Sequence, residues 1–289
     1  MRKVTFEAFS NETNDTRNEY RDSIIWLLNR MNVKFMLLGK KSDNVTNDQV
    51  RVSTALVLSS CTTGANISKL VEQLSICSKD SLPLARTFYE SSLQACFVLA
   101  DGDESAQRAE YYSVYKAFVS QTEHFKLGRT VGLIQNSTRL DRNNPTVKRA
   151  IELFAPKSGN RARPCFDASR DEMIRRIKNI SPHAAICFQG VEGMNFDFAS
   201  EVSHGSYHAY KLLSGHLDTS VDASDGILQE VAFRATATVA SCSDAIARTM
   251  LTVSKELDEA KHVIEACNLF YAEEVPEMTH DLQKLNTSD

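Results

Sequence analysis

The chain has 289 residues, of which 42% are hydrophobic and 24% are charged, and its formal net charge is −4 at pH 7. Its 11 glycines and 6 prolines are few for a β-rich fold, which needs many tight turns. The acidic balance excludes a general attraction of the whole molecule to nucleic acid or anionic membranes. We therefore expect one all-α domain over residues 1–289, with its core in about 15–130 and 180–272 and a frayed tail at 276–289.

Apolar residues recur at helical spacing through the first half of the chain. They predict a first helix over 15–38, and Asn47 can cap a second one. A third helix is predicted over 82–100, where almost every face is apolar, so we expect it at the centre of a multi-helix bundle. A fourth helix is predicted from about 104 to 125.

A basic segment follows at residues 139–178. It holds eleven Lys and Arg against five Asp and Glu, so the rest of the chain carries −10. Two short helices fit into it, one from Pro145 and one from Ser169, with a loop between them. We expect an exposed, loop-containing excursion that contacts the backbone of a nucleic acid, with a merely solvated charged face as the alternative. The candidate contacts are Arg161 and Arg163 in the loop and Arg175 and Arg176 in the second helix.

The last third of the chain is again helical by periodicity. Helices are expected from Ser181, over 193–213, over 225–256 and onward through Tyr271. An apolar stripe from Ile246 to Tyr271, in steps of four and three, predicts core packing, with a dimer seam as the alternative.

Only two charged residues interrupt the apolar third helix, Arg86 and Glu90. At positions i and i+4 their side chains share one helix face and can meet. In so apolar a helix we expect the pair to be buried, where removing one partner would cost roughly 3–5 kcal/mol. The pair is then either a structural ion pair that fixes the register of the bundle or part of a functional site.

A second group of polar residues lies in "FASEVSHGSYH", residues 198–208. Glu201, His204 and His208 fall on one helical stripe, with Ser203 beside them. A histidine titrates near neutral pH and can act as a general acid or base. We expect the helix carrying His204 to pack against the buried Arg86–Glu90 pair and to complete its polar network.

These two helices resemble a bacterial all-helical family of unknown function, whose members pair an Arg-x-x-x-Glu helix with a later Ser-Glu-x-x-His-Gly-Ser helix. The resemblance covers about 50–125 and 190–260, and the matching residues are Arg86, Glu90, Ser200, Glu201, His204, Gly205 and Ser206. In outline this family is similar to the HEPN helical bundles, many of which are metal-independent ribonucleases or RNA-binding modules in defence and toxin systems. The usual HEPN motif, Arg-x(4–6)-His on one helix, has no counterpart within any single predicted helix of this chain.

The resemblance implies a helical protein that binds or acts on RNA, in bacterial defence or toxin control. In a metal-independent ribonuclease, Arg86 would stabilise phosphate charge, Glu90 would hold Arg86, and His204 would move a proton. Glu201, Ser203 and His208 are further catalytic candidates. The alternative is a non-catalytic helical interaction or regulatory subunit, in which the Arg86–Glu90 pair is purely structural.

A di-iron carboxylate bundle is a further alternative, because such bundles use Glu-x-x-His pairs and additional glutamates. The candidate ligands are Glu201 with His204, Glu259 with His262, and Glu90 and Glu230. Glu259 and His262 lie off the apolar stripe of the last helix and would not point inward, so we expect neither a metal nor a cofactor.

The compartment is predicted from the cysteines and the first residues. The seven cysteines are scattered without a C-x-x-C sequence, and the first residues lack the apolar stretch of a secretory signal. We expect a cytoplasmic protein that does not enter a membrane. RNA, a protein partner and a second copy of the chain are the candidate partners.

Overall fold

The computed structural model describes residues 14–39, 45–127, 130–135, 140–156, 163–204 and 221–274. Helices dominate this part of the chain, and the predicted all-α multi-helix fold is confirmed. The β-structure within it is limited to one two-stranded antiparallel hairpin.

The helices follow one another as α1 (Asn14–Gly39), α2 (Asn47–Val71), α3 (Ser81–Asp101), α4 (Asp103–Val119), α5 (Pro145–Phe154), α6 (Arg170–Lys178), α7 (Pro182–Val191), α8 (Asp197–Ser203), α9 (Val221–Val253) and α10 (Glu259–Glu274). The hairpin strands are β1 (Thr122–Leu127) and β2 (Thr130–Gln135), with Thr122 opposite Gln135. A 3-10 turn at Ile76–Asp80 precedes α3, and a π-helical turn at Glu192–Phe196 joins α7 to α8.

Local signals explain where the early helices begin and end. Thr46, one residue before the predicted cap, accepts a hydrogen bond from the Gln49 N–H at 3.1 Å, and the Gln49 side chain accepts one from the Thr46 N–H at 3.0 Å. Gly102, with φ of 98°, separates α3 from α4. The fourth helix ends at Val119 and not near 125, because the chain enters the hairpin at Thr122.

Helix α3 is the central helix, as its apolar sequence predicts. Helices α2, α6, α8 and α9 all pack against it. Ala85, Phe88, Tyr89, Ala95 and Cys96 are almost completely buried in these contacts. The bundle is therefore built around the helix that carries Arg86 and Glu90.

The two helices of the basic segment, for which an exposed, loop-containing excursion over 139–178 was expected, pack on the bundle. Helix α5 packs on α4 and buries Phe154, and α6 packs on α3 and α7 and buries Ile174 and Ile177. Each helix turns its apolar stripe inward and its cationic residues outward. The intervening loop, with Arg161, lies outside the described residues.

The apolar stripe of the last two helices forms core, as predicted. Ile246 and Met250 on α9 and Leu257, Cys267 and Tyr271 after it are all buried. The alternative of a dimer seam along this stripe is therefore wrong.

Candidate functional site

The Arg86–Glu90 pair forms on α3, but it is not buried. Arg86 Nε lies 3.0 Å from Glu90 Oε1, and the two side chains are 25% and 42% exposed. The prediction of a buried pair is wrong, because the long side chains carry both charges to the surface while the apolar faces of α3 are covered. The pair therefore has the energetics of a partly solvated ion pair.

The aromatic ring of Phe196 lies beneath this pair. The guanidinium carbon of Arg86 is 4.4 Å from the ring centroid, and that of Arg170, the first residue of α6, is 3.6 Å from it. Phe196 itself is 6% exposed. Two cations thus meet one largely buried aromatic ring, an arrangement stabilised by the negative potential of the ring face.

Glu192 connects this cluster to the core. Its Oε1 accepts a hydrogen bond from the Tyr89 hydroxyl at 2.6 Å and lies 3.1 Å from Nε of Arg170. Burial, together with the adjacent Glu192 carboxylate, raises the pKa of Tyr89 above its ordinary value, so the hydroxyl stays protonated and donates. We call Arg86, Glu90, Arg170, Glu192 and Phe196 the Phe196 cluster.

His204 does not join the Phe196 cluster. Helix α8 packs against α3, as expected, with Ala199 against Leu82. His204 follows the end of α8 and is exposed, and eight helical residues place it about 12 Å along the helix axis from Phe196. Among the described residues, its side chain has no hydrogen-bond partner.

The neighbouring candidates are equally separate from the cluster. Glu201 and Ser203 are exposed, and the Ser203 hydroxyl donates to the Ala199 carbonyl at 2.7 Å within its own helix. His208 lies outside the described residues. The proton-transfer groups proposed for a ribonuclease are therefore not brought to Arg86 and Glu90 by the described part of the fold.

Arg175 and Arg176 are tied to carboxylates. Arg175 Nη2 and Arg176 Nε lie 2.7 and 2.9 Å from Glu172 Oε1, and Arg176 also pairs with Asp101. Hydrogen bonds from the two arginines lower the pKa of Glu172 to about 2. Arg163 is partly buried, and its backbone N–H donates to the backbone carbonyl of Phe154 at 3.1 Å. The predicted nucleic-acid contacts in α6 are thus partly neutralised within the protein.

A cleft of about 320 Å³ lies between the ends of α3 and α4 and the residues that lead into α6. Phe97, Asp101, Glu104, Ser105, Arg108, Phe166, Asp167, Ala168 and Arg176 line it. Arg108 lies 2.9 Å from Asp167, and Arg176 is bound to Asp101 and Glu172. Both guanidinium groups of the cleft are therefore already matched by carboxylates.

One arginine and one histidine do have the HEPN spacing, Arg176 and His183, but they lie on different helices. Pro182 begins α7 after α6 has ended at Lys178. Arg176 faces Asp101 on α3, whereas His183 lies near Asp244 on α9. The spacing therefore does not produce a joint site.

The most deeply buried ion pair within the described ranges is on α9, and sequence analysis missed it. Arg248 Nε lies 2.7 Å from Asp244 Oδ1, with side chains 20% and 3% exposed, and Cys187 Sγ lies 3.5 Å from Asp244 Oδ2. Burial raises the pKa of Asp244, and Arg248 opposes that shift. The available signal was the same i, i+4 spacing in "SDAIARTM", residues 243–250.

The described part of the chain does not provide a ligand set for the di-iron alternative. Among those residues, no group of three or more His, Cys, Asp or Glu side chains is placed to hold a metal ion. The candidate carboxylates contact cations: Glu90 with Arg86 at 3.0 Å, Glu230 with Arg234 at 2.6 Å, and Glu259 with Lys34 at 3.8 Å.

The described helices are all too short or too polar to cross a membrane. Comparison of the chain with protein-family models, with curated proteins and with solved structures gave no match. The HEPN-like resemblance consequently rests on the two sequence motifs alone.

Proposed function

We propose that the protein is a helical RNA-binding protein that holds its ligand without cleaving it. The observation that carries this proposal is the packing of the basic segment onto the bundle. Helices α5 and α6 bury their apolar residues and leave cationic groups such as Lys148, Arg149 and Lys178 exposed. The segment carries +6 in a chain whose remainder carries −10, so it is the part of the sequence that attracts phosphates.

The separation of the polar candidates supports binding over cleavage. Metal-independent cleavage of RNA needs an acid or base within hydrogen-bond reach of the reacting groups, beside the cation that stabilises the phosphate. Arg86 has Glu90 and Phe196 next to it, and His204 is exposed on another part of the surface. A binding role requires only the cationic surface.

The salt dependence of RNA binding tests this proposal. We expect the Lys148→Ala/Arg149→Ala double variant to bind a short single-stranded RNA more weakly. The negative slope of log K against log salt should become shallower by about 1.4, or 0.7 per lost phosphate contact. The matched control is Lys255→Ala/Lys261→Ala, which removes the same charge near α10. Equal slopes for the two double variants would contradict the proposal, as would failure of the unsubstituted protein to bind RNA at low salt.

The outer face of α1 supports a second candidate function, self-association. Trp26, Val33 and Leu37 are 59%, 50% and 55% exposed, and their spacing of seven and four residues places them on one stripe of the helix. Large apolar residues exposed along one stripe are typical of a surface that pairs with another helix.

Charge along α1 favours a second copy of this chain in antiparallel orientation. The exposed residues Asp15 and Glu19 lie in its first half, and the exposed Arg30 and Lys34 lie in its second half. An antiparallel pair of α1 helices would bring opposite charges together at both ends of a two-fold interface. Sedimentation velocity should show a dimer that Val33→Glu dissociates, whereas a monomer at every concentration would contradict this candidate.

A further inference from the structure

We propose that the Phe196 cluster is a phosphate-binding site, in which Arg86 and Arg170 together hold one phosphate group of an RNA backbone. The inference rests on the proposed RNA-binding function and assigns it a defined contact. Arg170 belongs to the basic segment and Arg86 to the central helix, so the site lies where the cationic surface meets the core of the bundle.

The two guanidinium groups are close enough to share one phosphate. Their central carbons lie 4.4 and 3.6 Å from the centroid of Phe196, so they are no more than about 8 Å apart. Guanidinium N–H groups donate to phosphate oxygens at about 2.7–2.9 Å, and a planar fork can donate two parallel bonds. We infer that one phosphate beside the ring, on the solvent side where both guanidinium groups are partly exposed, accepts from both of them.

The donors needed for this contact are available. Each arginine directs its Nε toward a carboxylate, Arg86 toward Glu90 at 3.0 Å and Arg170 toward Glu192 at 3.1 Å. Within the described part of the chain, the Nη groups of both arginines have no hydrogen-bond partner. The side chains are 25% and 43% exposed, so these Nη groups can be reached from solvent.

The cluster is organised before a ligand arrives. Phe196 packs edge to face on Tyr89, with ring centroids 5.7 Å apart, and the Tyr89 hydroxyl donates to Glu192 at 2.6 Å. The ring and the Glu192 carboxylate are thereby fixed by the core, and they in turn orient Arg170. Pre-organised donors lose less conformational entropy on binding, which favours a defined contact over a diffuse one.

The two arginines and two glutamates of the cluster sum to zero formal charge. The site therefore does not attract RNA from a distance, and that attraction comes from the basic segment. The site contributes geometric specificity, because each planar guanidinium can donate two parallel hydrogen bonds to phosphate oxygens. The ammonium group of a lysine is a point charge and lacks this geometry. Arginine is consequently required at both positions, and lysine is a poor substitute.

The test measures binding of a fluorescein-labelled single-stranded RNA of about 12 nucleotides by anisotropy. We expect Arg86→Gln, Arg170→Gln and Arg86→Lys each to raise Kd on the order of tenfold, as for loss of one charge-assisted contact. The matched control is Arg51→Gln, which removes an exposed, ion-paired arginine from α2 and should change Kd by less than about twofold. Circular dichroism of each variant verifies that the fold is retained.

A second measurement separates failure of the site from failure of the proposed function. Broadening of the ³¹P signal of inorganic phosphate by the protein should be lost in Arg170→Gln and kept in Arg51→Gln. Normal RNA binding by both the Arg86 and Arg170 variants would overturn the site and leave the proposed function intact. If the unsubstituted protein does not bind RNA, the proposed function is wrong. If it also does not broaden the ³¹P signal of inorganic phosphate, the phosphate site is wrong as well.

Discussion

Replacement of Arg248 by alanine tests the energetics of a buried ion pair. Its partner, Asp244, is a deeply buried carboxylate of the described core. Asp244 on α9 is 3% exposed and accepts from Arg248 Nε at 2.7 Å, with Cys187 Sγ on its other oxygen at 3.5 Å. Without Arg248 the carboxylate would keep only the weak thiol of Cys187 as a side-chain hydrogen-bond donor. Its charge would then be buried without its ion-pair partner.

The expected cost follows from the exposure of the two groups. Removing one partner of a buried pair costs about 3–5 kcal/mol, so Arg248→Ala should lower the free energy of unfolding by about that amount. Glu90→Ala is the matched control, since it breaks a pair of the same i, i+4 spacing whose side chains are 25% and 42% exposed. The Glu90→Ala substitution should lower the free energy of unfolding by about 0.2–1 kcal/mol.

Urea unfolding followed by circular dichroism measures both costs. At pH 7 we expect Arg248→Ala to be far less stable than Glu90→Ala. The difference in stability between the two variants should narrow as the pH is lowered. Burial already raises the pKa of Asp244 and loss of Arg248 raises it further, so the carboxylate becomes protonated and its buried charge is removed. Equal costs for the two variants at pH 7 would refute the assignment of Asp244–Arg248 as the buried pair.

Three further predictions concern the basic segment. Phe154 is fully buried under α4, so Phe154→Ala should lower the free energy of unfolding by about 3–5 kcal/mol, whereas a small loss would favour a detached excursion. The pKa of Glu172 is about 2 against an ordinary 4.5, so its stabilising effect should be complete above about pH 4.5 and lost as the pH falls toward 2. The stability difference between the unsubstituted protein and Glu172→Gln should shrink over that range, and a constant difference would contradict the pairing with its arginines. Arg161→Ala/Arg163→Ala should weaken RNA binding and lower its salt slope by about 1.4, and an unchanged slope would remove the loop from the contact.

The position of α3 could be predicted from the sequence because almost every face of it is apolar. The exposure of its ion pair could not be predicted, since long side chains reach solvent from a helix that is otherwise covered. Asp244 and Arg248 lie in a stretch rich in alanine, serine and threonine, which is less hydrophobic than α3 but just as buried. Burial there depends on the neighbours α7 and α10, and a single helix does not reveal its neighbours.

The Phe196 cluster depends on contacts between distant parts of the chain. Arg86, Arg170 and Phe196 come from α3, α6 and the π-helical turn, and no spacing rule links them. The motifs did predict that the helix before His204 packs on α3. They did not predict that Phe196, and not His204, is the residue that meets Arg86, because the packing register between two helices is set by side-chain shape.

Incubation of one labelled single-stranded RNA with the purified protein distinguishes binding from cleavage, with anisotropy read first and a denaturing gel of the same sample afterwards. We expect a saturable rise in anisotropy at low salt, weaker binding as the salt concentration increases, and full-length RNA on the gel after prolonged incubation. Cleavage products that disappear in His204→Ala would contradict binding without cleavage. Unchanged anisotropy at every protein concentration would contradict RNA binding itself.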